Sequence, residues 1–512
     1  MPHSEPYSAS RIRRGVFHLI GGKAITSIAG IGTFLLLVRA LPVEQFAAYT
    51  ILFALVELVE ASTGVGLSQI LSRYVPELYV GHHRNALRRL VTIVLTLRIG
   101  VLTAFVGIVY LLAPSVAPLI GLSGWEWAVK AYLAVVLVRV SAMALFGILE
   151  SMLHQGIAQL GFGLVTAMRF MLLLGAYVQG GLDLRTVIVI ELLTDLLGCG
   201  VMAIGLIRTM PARSSPEPEA TSRWLRSNLG RMVDFGVKGY LQHMLILPYG
   251  GATNRLVVGG TLASTEAALF GFAQSVADLM ERYLPVRLLA GVIRPVLTAR
   301  YVRDRNFSEL ELAANLIFKI NAIVICLAAV VVFAGGSSMI GLVTKGKYVD
   351  GGVGLLLAMC ALVFLFSLRH TLDQVCQAVE HNGPLIWSNV VITSSVLPGI
   401  AFLPALGVFA MPVANIAGLI LGILILVWRL RAAGFAYRQD LRGLVKMLAV
   451  TALGMLGAEA SRRLGGGWIV SVAAGVALFG LAAVLVRIPA PKERILIGEL
   501  VRRRRPGTVV GP

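Results

Sequence analysis

Residues 468–486 read WIVSVAAGVALFGLAAVLV, nineteen residues without one charged side chain. A buried strand of a soluble protein lasts roughly 4 to 8 residues, whereas a helix that crosses a bilayer needs about 20. The stretch therefore reads as a membrane span, and IAGLILGILILVW at 416–428 and VLTAFVGIVYLLA at 101–113 have the same character. Of the 512 residues, 57% are hydrophobic and only 14% charged, and the mean hydropathy is +0.83. A chain this apolar has the bilayer as its main solvent.

A helix-length hydropathy window predicts about fourteen spans: 16–40, 46–71, 90–113, 128–149, 162–181, 186–207, 233–257, 267–293, 313–335, 353–378, 385–405, 408–428, 444–460 and 467–488. The fold class is all-α and polytopic. The expected organisation is two six-helix bundles, 1–210 and 233–430, joined by a polar cytoplasmic linker at 211–232. Two additional helices at 431–490 and a basic tail at 491–512 follow. The first apolar stretch begins only after the polar MPHSEPYSASRIRR and shows no short export-signal core, so the N-terminus is read as retained.

A net charge of +19 and a pI near 10.3 raise the question of nucleic acid, and the placement of the charges answers it. Basic residues crowd alternate span ends: Arg11, Arg13 and Arg14; Arg84, Arg88 and Arg89; Arg208, Arg223 and Arg231; Arg300 and Arg303; Arg429, Arg431 and Arg438; and the run Arg502 to Arg505. The opposite ends offer only Arg185, Lys345, Lys347, Arg462 and Arg463. By the positive-inside rule the chain is an inner-membrane protein with both termini cytoplasmic, and its basic ends meet membrane lipids, not nucleic acid. Cys199, Cys326, Cys360 and Cys376 each fall in apolar stretches without metal-ligand spacing.

An ionisable side chain near the bilayer centre costs about 2.5 to 3.5 kcal/mol on insertion scales, so each one present needs a partner or an aqueous cavity. Candidates for binding an anionic substrate are Arg98, Arg139, Arg169, Lys238, Arg282, Arg287 and Lys319, to which Lys23 and Arg294 add charge. Together they would line a cationic cavity open to the cytoplasm, and guanidinium groups suit a pyrophosphate through bidentate hydrogen bonds. The alternative is internal neutralisation, for instance Arg369 with Asp373 or Arg282 with Glu281, although basic groups outnumber acidic ones. Glu57, Glu60, Asp278 and Glu281 are candidates for ion coupling or for pairing with those cations. FAAYTILFALVELVE from Phe46, laid on AALFGFAQSVADLME from Ala267, aligns Glu57 with Asp278 and Glu60 with Glu281, an internal repeat of the kind transporters use. Gly418 with Gly422, Gly30 with Gly32 and Gly454 with Gly457 offer small surfaces for helix packing, while Pro398 and Pro412 are expected to bend or end spans.

LLLVRALPVEQFAAYTILFALVELV (35–59), GVGLSQILSRYVPEL (64–78) and NRLVVGGTLASTEAALFGFAQ (254–274) carry a family resemblance, with weaker echoes in VTKGKYVDGG (343–352) and LGVFAMPVANIAG (406–418). The chain resembles the Wzx-type polysaccharide and O-antigen repeat-unit flippases of the multidrug/oligosaccharidyl-lipid/polysaccharide exporter superfamily, from about Arg14 to Arg429. The resemblance implies alternating access that carries a polyprenyl-pyrophosphate-linked oligosaccharide outward for exopolysaccharide, capsule or O-antigen synthesis. Other glycan-pathway membrane proteins are the implied partners. Many relatives carry an Asp before the Arg-like position of the seventh span, where this chain has Asn254 before Arg255.

A drug or cation antiporter of the same superfamily is the nearest competing expectation. A glycan polymerase or ligase is the enzymatic one, but the external segments PSVAPLIGLSGWEW and SSMIGLVTKGKYVDGG are short and poor in carboxylates and histidines. No Walker A, HExxH or GxSxG sequence occurs, so the chain is expected to be no enzyme and to need no cofactor.

Overall fold

In hydrocarbon a backbone must satisfy its own polar groups, and this chain does so with helices. The computed structural model describes residues 26–80, 84–152, 154–210, 218–285, 287, 306–379, 381, 383–488 and 493–494. Eleven helices among the described residues are long and apolar enough to cross a membrane, and none of these residues forms a strand. The protein is thus an all-α polytopic membrane protein. The expected charges at Lys23 and Arg294, the basic tail apart from 493–494, and both termini lie outside the described residues.

Hydropathy located the apolar segments but not three breaks inside them, of which only the one at Pro398 was expected. The second expected span, 46–71, is divided into α2 (Val43–Thr63) and α3 (Leu67–Val80), following the shorter α1 (Thr26–Ala40). Between α2 and α3, Val65 and Gly66 adopt φ of 41° and 74°, and a Cβ on Gly66 would stand 2.2 Å from the carbonyl oxygen of Gly236. Only glycine takes that conformation at such a close approach. The seventh span, 233–257, is α8 (Pro218–Ile246), a 3-10 turn at Leu247–Tyr249, and α9 (Gly251–Thr261), because Pro248 has no N–H to continue the helix. The eleventh is split at Ser395, between Gly383–Ser394 and Val396–Ala401, where Pro398 removes the donor that would bond the carbonyl of Ser394. Pro412 bends nothing: it lies in the first turn of Ala410–Ala432, where an N–H has no intrahelical partner to lose.

The chain divides into two compact units, Met1–Gly271 and Phe272–Pro512. The segment read as a linker, 211–232, is helical from Pro218 onward, with proline at the favoured first position, while 211–217 lie outside the described residues.

In the first unit the principal helices are α4 (Arg84–Leu119), α5 (Glu126–Ser151), α6 (Gln155–Val178) and α7 (Leu184–Thr209). Two apolar clusters stabilise it. One gathers Val56, Leu102, Val129, Val136 and Ile188, and the other gathers Leu71, Tyr74, Leu87, Ile148 and Met202. Along α4 the first cluster begins after Arg98 and the second ends before it. Arg139 falls at the same junction on α5, and Glu191 with Asp195 fall there on α7. The mid-depth charges thus form a stratum between two apolar layers.

In the second unit, after α10 (Ser264–Tyr283), come α11 (Phe307–Thr344), α12 (Gly352–Ala378), α13 (Gly383–Ser394), α14 (Val396–Ala401), α15 (Leu403–Leu406) and α16 (Ala410–Ala432). The expected additional pair, α17 (Leu441–Arg463) and α18 (Trp468–Val486), packs on α11. Glycine makes these approaches possible: Gly454 lies against Phe479 and Val330, and Gly457 against Leu478. A Cβ added to Gly418 or Gly422 on α16 would stand 2.4 Å from Ser395 or Ile392, so this pair forms the expected close-packing surface. Gly32 is likewise covered, by Phe170, whereas Gly30 faces open space.

Candidate functional site

The densest group of buried charge lies in the first unit. Arg139 comes from α5, Arg169 from α6, and Glu191 and Asp195 from successive turns of α7, so their carboxylates share one helix face. Arg139 donates from Nε to Asp195 Oδ2 at 2.8 Å and pairs through Nη2 with Glu191 Oε2 at 3.0 Å. Arg169 reaches the other oxygen of Asp195, Nη2 to Oδ1, at 2.5 Å. Its Nη1 lies 3.9 Å from Glu191 Oε1.

Two tyrosines complete the set. Tyr132 donates to Glu191 Oε2 at 2.9 Å, and Tyr49 on α2 donates to Oε1 at 3.1 Å. Glu191 is fully buried and Asp195 is 5% exposed. Carboxylates taken this far from water need nearly every lone pair satisfied, and here each oxygen has a cationic or hydroxyl donor. The Arg139 guanidinium also lies 5.8 Å from the centre of the Phe53 ring, a cation–π contact. Two positive and two negative charges therefore balance at mid-depth. Arg139 and Arg169, expected to face an anionic ligand, face protein carboxylates instead.

Arg98 lies apart from that quartet. It is 3% exposed, donates to Ser68 Oγ at 2.5 Å, and has Glu60 at 3.8 Å as its carboxylate neighbour. Glu60 thus meets a cation, while Glu57 is on an exposed position of the same helix. Lys238 is exposed on α8 and pairs with Asp234 one turn away at 2.8 Å.

The candidates of the second unit do not converge on one point. Asp278 accepts from Gln274 Nε2 at 2.9 Å. Glu281 pairs with Arg287, not with its neighbour Arg282, because adjacent residues on a helix point to different faces. Arg282 is exposed. The expected pair Arg369–Asp373 forms, and Arg369 also donates to Asn389 Oδ1 at 2.7 Å.

Lys319 is buried in a separate clamp. Its ammonium binds both oxygens of Glu493 at 2.8 and 2.7 Å and also the carboxylate of Asp440, the residue that caps α17 by accepting from Gly443 N. The lysine thereby joins α11 to the start of α17 and to the segment beyond α18. For Asp440, which precedes the span, partial burial acts upward on the pKa, but the Lys319 and Gly443 hydrogen bonds and the charges of Lys319 and Lys446 outweigh it, and the net shift is downward.

Sequence reasoning singled out the arginines and counted Glu191 and Asp195 among the intramembrane charges, but did not pair the two sets. Glu191 and Asp195 carried a usable signal, two carboxylates at i and i+4 inside an apolar span. Tyr49 and Tyr132 carried none, since tyrosine is common in membrane helices. Among the described residues no group of three or more His, Cys, Asp or Glu side chains is placed to hold a metal ion.

No family model matches the chain, and no curated protein matches it. Solved structures do. The Lipid II flippase MurJ in its inward closed conformation superposes with a TM-score of 0.70 at 11% identity, over 92% of this chain and 99% of its own. An inward-facing multidrug resistance MATE family transporter of the MOP superfamily gives 0.62 at 14% identity, over 82% of this chain and 98% of its own. An outward-facing MATE family transporter gives 0.54 at 16%, over 84% and 97%. At such identities the likeness is one of fold: the chain has the fold of MOP-superfamily transporters.

Proposed function

We propose that this protein is an alternating-access flippase that moves a polyprenyl-pyrophosphate-linked oligosaccharide across the inner membrane for polysaccharide synthesis. The observation that carries the reading is the extent of the fold likeness. A lipid flippase, matched over 99% of its length, accounts for 92% of this chain, whereas a MATE transporter, matched over 98% of its own, accounts for 82%. That difference is comparable to the length of the helix pair α17 and α18. The finer architecture of this reading is two six-helix bundles and two appended helices, fourteen spans in all.

The charge inventory supports an anionic cargo and divides the candidate residues by role. Arg98, Lys238, Arg282 and Arg287 are the cations proposed to attract the pyrophosphate. Arg139 and Arg169 hold the core of the first unit together through Glu191 and Asp195, and they reach substrate only by exchanging those partners. Lys319 anchors the C-terminal segment. Glu57, Glu60, Asp278 and Glu281 remain the carboxylates proposed for ion coupling.

The test is removal of the protein from its host. Lipid-linked repeat units should accumulate on the cytoplasmic face of the membrane, and normal extracellular polymer in the mutant would overturn the reading. The fold shared with MATE transporters supports a drug antiporter as the second reading, for which deletion should instead change drug susceptibility.

A further inference from the structure

Apart from the charge stratum and the clamp, the second unit contains a cavity of about 290 Å³ where α13 begins and α16 ends. Arg429 projects there. Its guanidinium carbon lies 5.2 Å from the centre of the Trp387 ring and 5.3 Å from that of Trp428. Cation–π contacts of this kind hold a guanidinium without using its N–H groups, which are left to recognise a ligand.

Arg429 is partly exposed, but its Nε is buried and has no acceptor among the described residues. A buried charged donor left in this state costs free energy that a bound acceptor would recover. His381 lines the same cavity, as do Gly383 and Pro384, the first residues of the twelve-residue helix α13. Pro384 has no N–H, so the backbone N–H of Gly383 and the positive dipole end of that helix are what favour an anion beside Arg429.

We propose that this cavity is a binding site for the phosphate headgroup of an anionic membrane lipid, with Arg429 as the principal ligand. Three observations favour a lipid over a soluble anion. The cavity lies where one apolar helix starts and another ends, the level at which a span meets headgroups. Trp387 and Trp428 are 54% and 63% exposed, as expected of aromatic side chains in an interfacial belt. The volume is just below the ~300 Å³ at which small-molecule clefts begin, enough for a headgroup and too small for a saccharide chain. Arg429 with Arg431 and Arg438, which follow it in sequence, puts this end at the cytoplasmic leaflet by the positive-inside rule.

The experiment is native mass spectrometry of the full chain released from detergent after incubation with phosphatidylglycerol, phosphatidylcholine or inorganic phosphate. The wild type should retain phosphatidylglycerol over phosphatidylcholine. Arg429→Gln should retain it at least about tenfold less, the loss expected for one charge-assisted contact, and Arg429→Lys should fall between. Ala432→Leu, which adds bulk to the cavity lining and keeps every charge, should also lower retention, and it decides the matter if Arg429→Gln does not fold. Equal retention by the wild type and the folded variants overturns the proposal. So does displacement of phosphatidylglycerol by millimolar inorganic phosphate, which would identify a site for free anions.

Discussion

Arg139 and Arg169, 30 residues apart on neighbouring helices, hold opposite oxygens of a single carboxylate, Asp195, at 2.8 and 2.5 Å. The pairing fixes three helices of the first unit at mid-depth. It also converts charges that would be costly in hydrocarbon into a balanced set.

Asp195→Asn should accordingly be among the most destabilising single changes in the first unit. Removing one partner of a buried ion pair costs about 3–5 kcal/mol, because the remaining charge is left uncompensated. Thermal unfolding in detergent should show a large drop in Tm. The double variant Asp195→Asn with Arg139→Gln should be less destabilised than the sum of its singles, and simple additivity would refute the coupling.

Arg98 should behave differently from the quartet. Its carboxylate neighbour is 3.8 Å away and partly exposed, so its charge is less committed to the fold. Arg98→Gln should leave the amount of folded protein unchanged and lower extracellular polymer roughly tenfold or more, as loss of a charged hydrogen bond to substrate would. The readout is polymer yield in a complemented deletion strain alongside protein level. Unchanged polymer would remove Arg98 from the proposed pathway.

The clamp at Lys319 should give a pH signature. Asp440 has a folded-state pKa below its unfolded value, so its contribution to stability is complete above the ordinary carboxylate range near ~3.9 and is lost as pH falls through the lower folded value. The difference in Tm between wild type and Asp440→Asn should therefore be constant at neutral pH and shrink as the solution is acidified toward and below that range. A difference that grows on acidification would contradict the assignment.

Gly422 tests the packing of α13 on α16. A side chain there would collide with Ile392, and Ser388 donates to the Gly422 carbonyl at 2.9 Å in the same contact. Gly422→Leu should destabilise the second unit by about 1–3 kcal/mol or more through overpacking, whereas Gly30→Leu, facing open space, should be tolerated. Comparison of folded yield and Tm for the two variants separates them.

The membrane character of this protein was legible in its amino acids because hydropathy is local and additive: nineteen uncharged residues at 468–486, apolar but for Ser471, demand a bilayer whatever their neighbours do. The glycine pairs Gly418–Gly422 and Gly454–Gly457 and the i, i+4 pair Arg369–Asp373 were legible for the same reason, since a single helix dictates which of its residues share a face. Pro398 announced the break at Ser395, but those at Gly66 and Pro248 were hidden, because a short interruption barely changes the average over a window. Which carboxylates Arg139 and Lys319 would meet across the fold was not legible in the sequence. Asp195 is 56 positions from Arg139 and Glu493 is 174 from Lys319, and nothing local says which helix faces will meet. Tertiary packing alone turned a stripe of expensive cations into a neutral stratum in one unit and a clamp in the other, because only contact between separate helices can bring opposite charges within hydrogen-bonding distance.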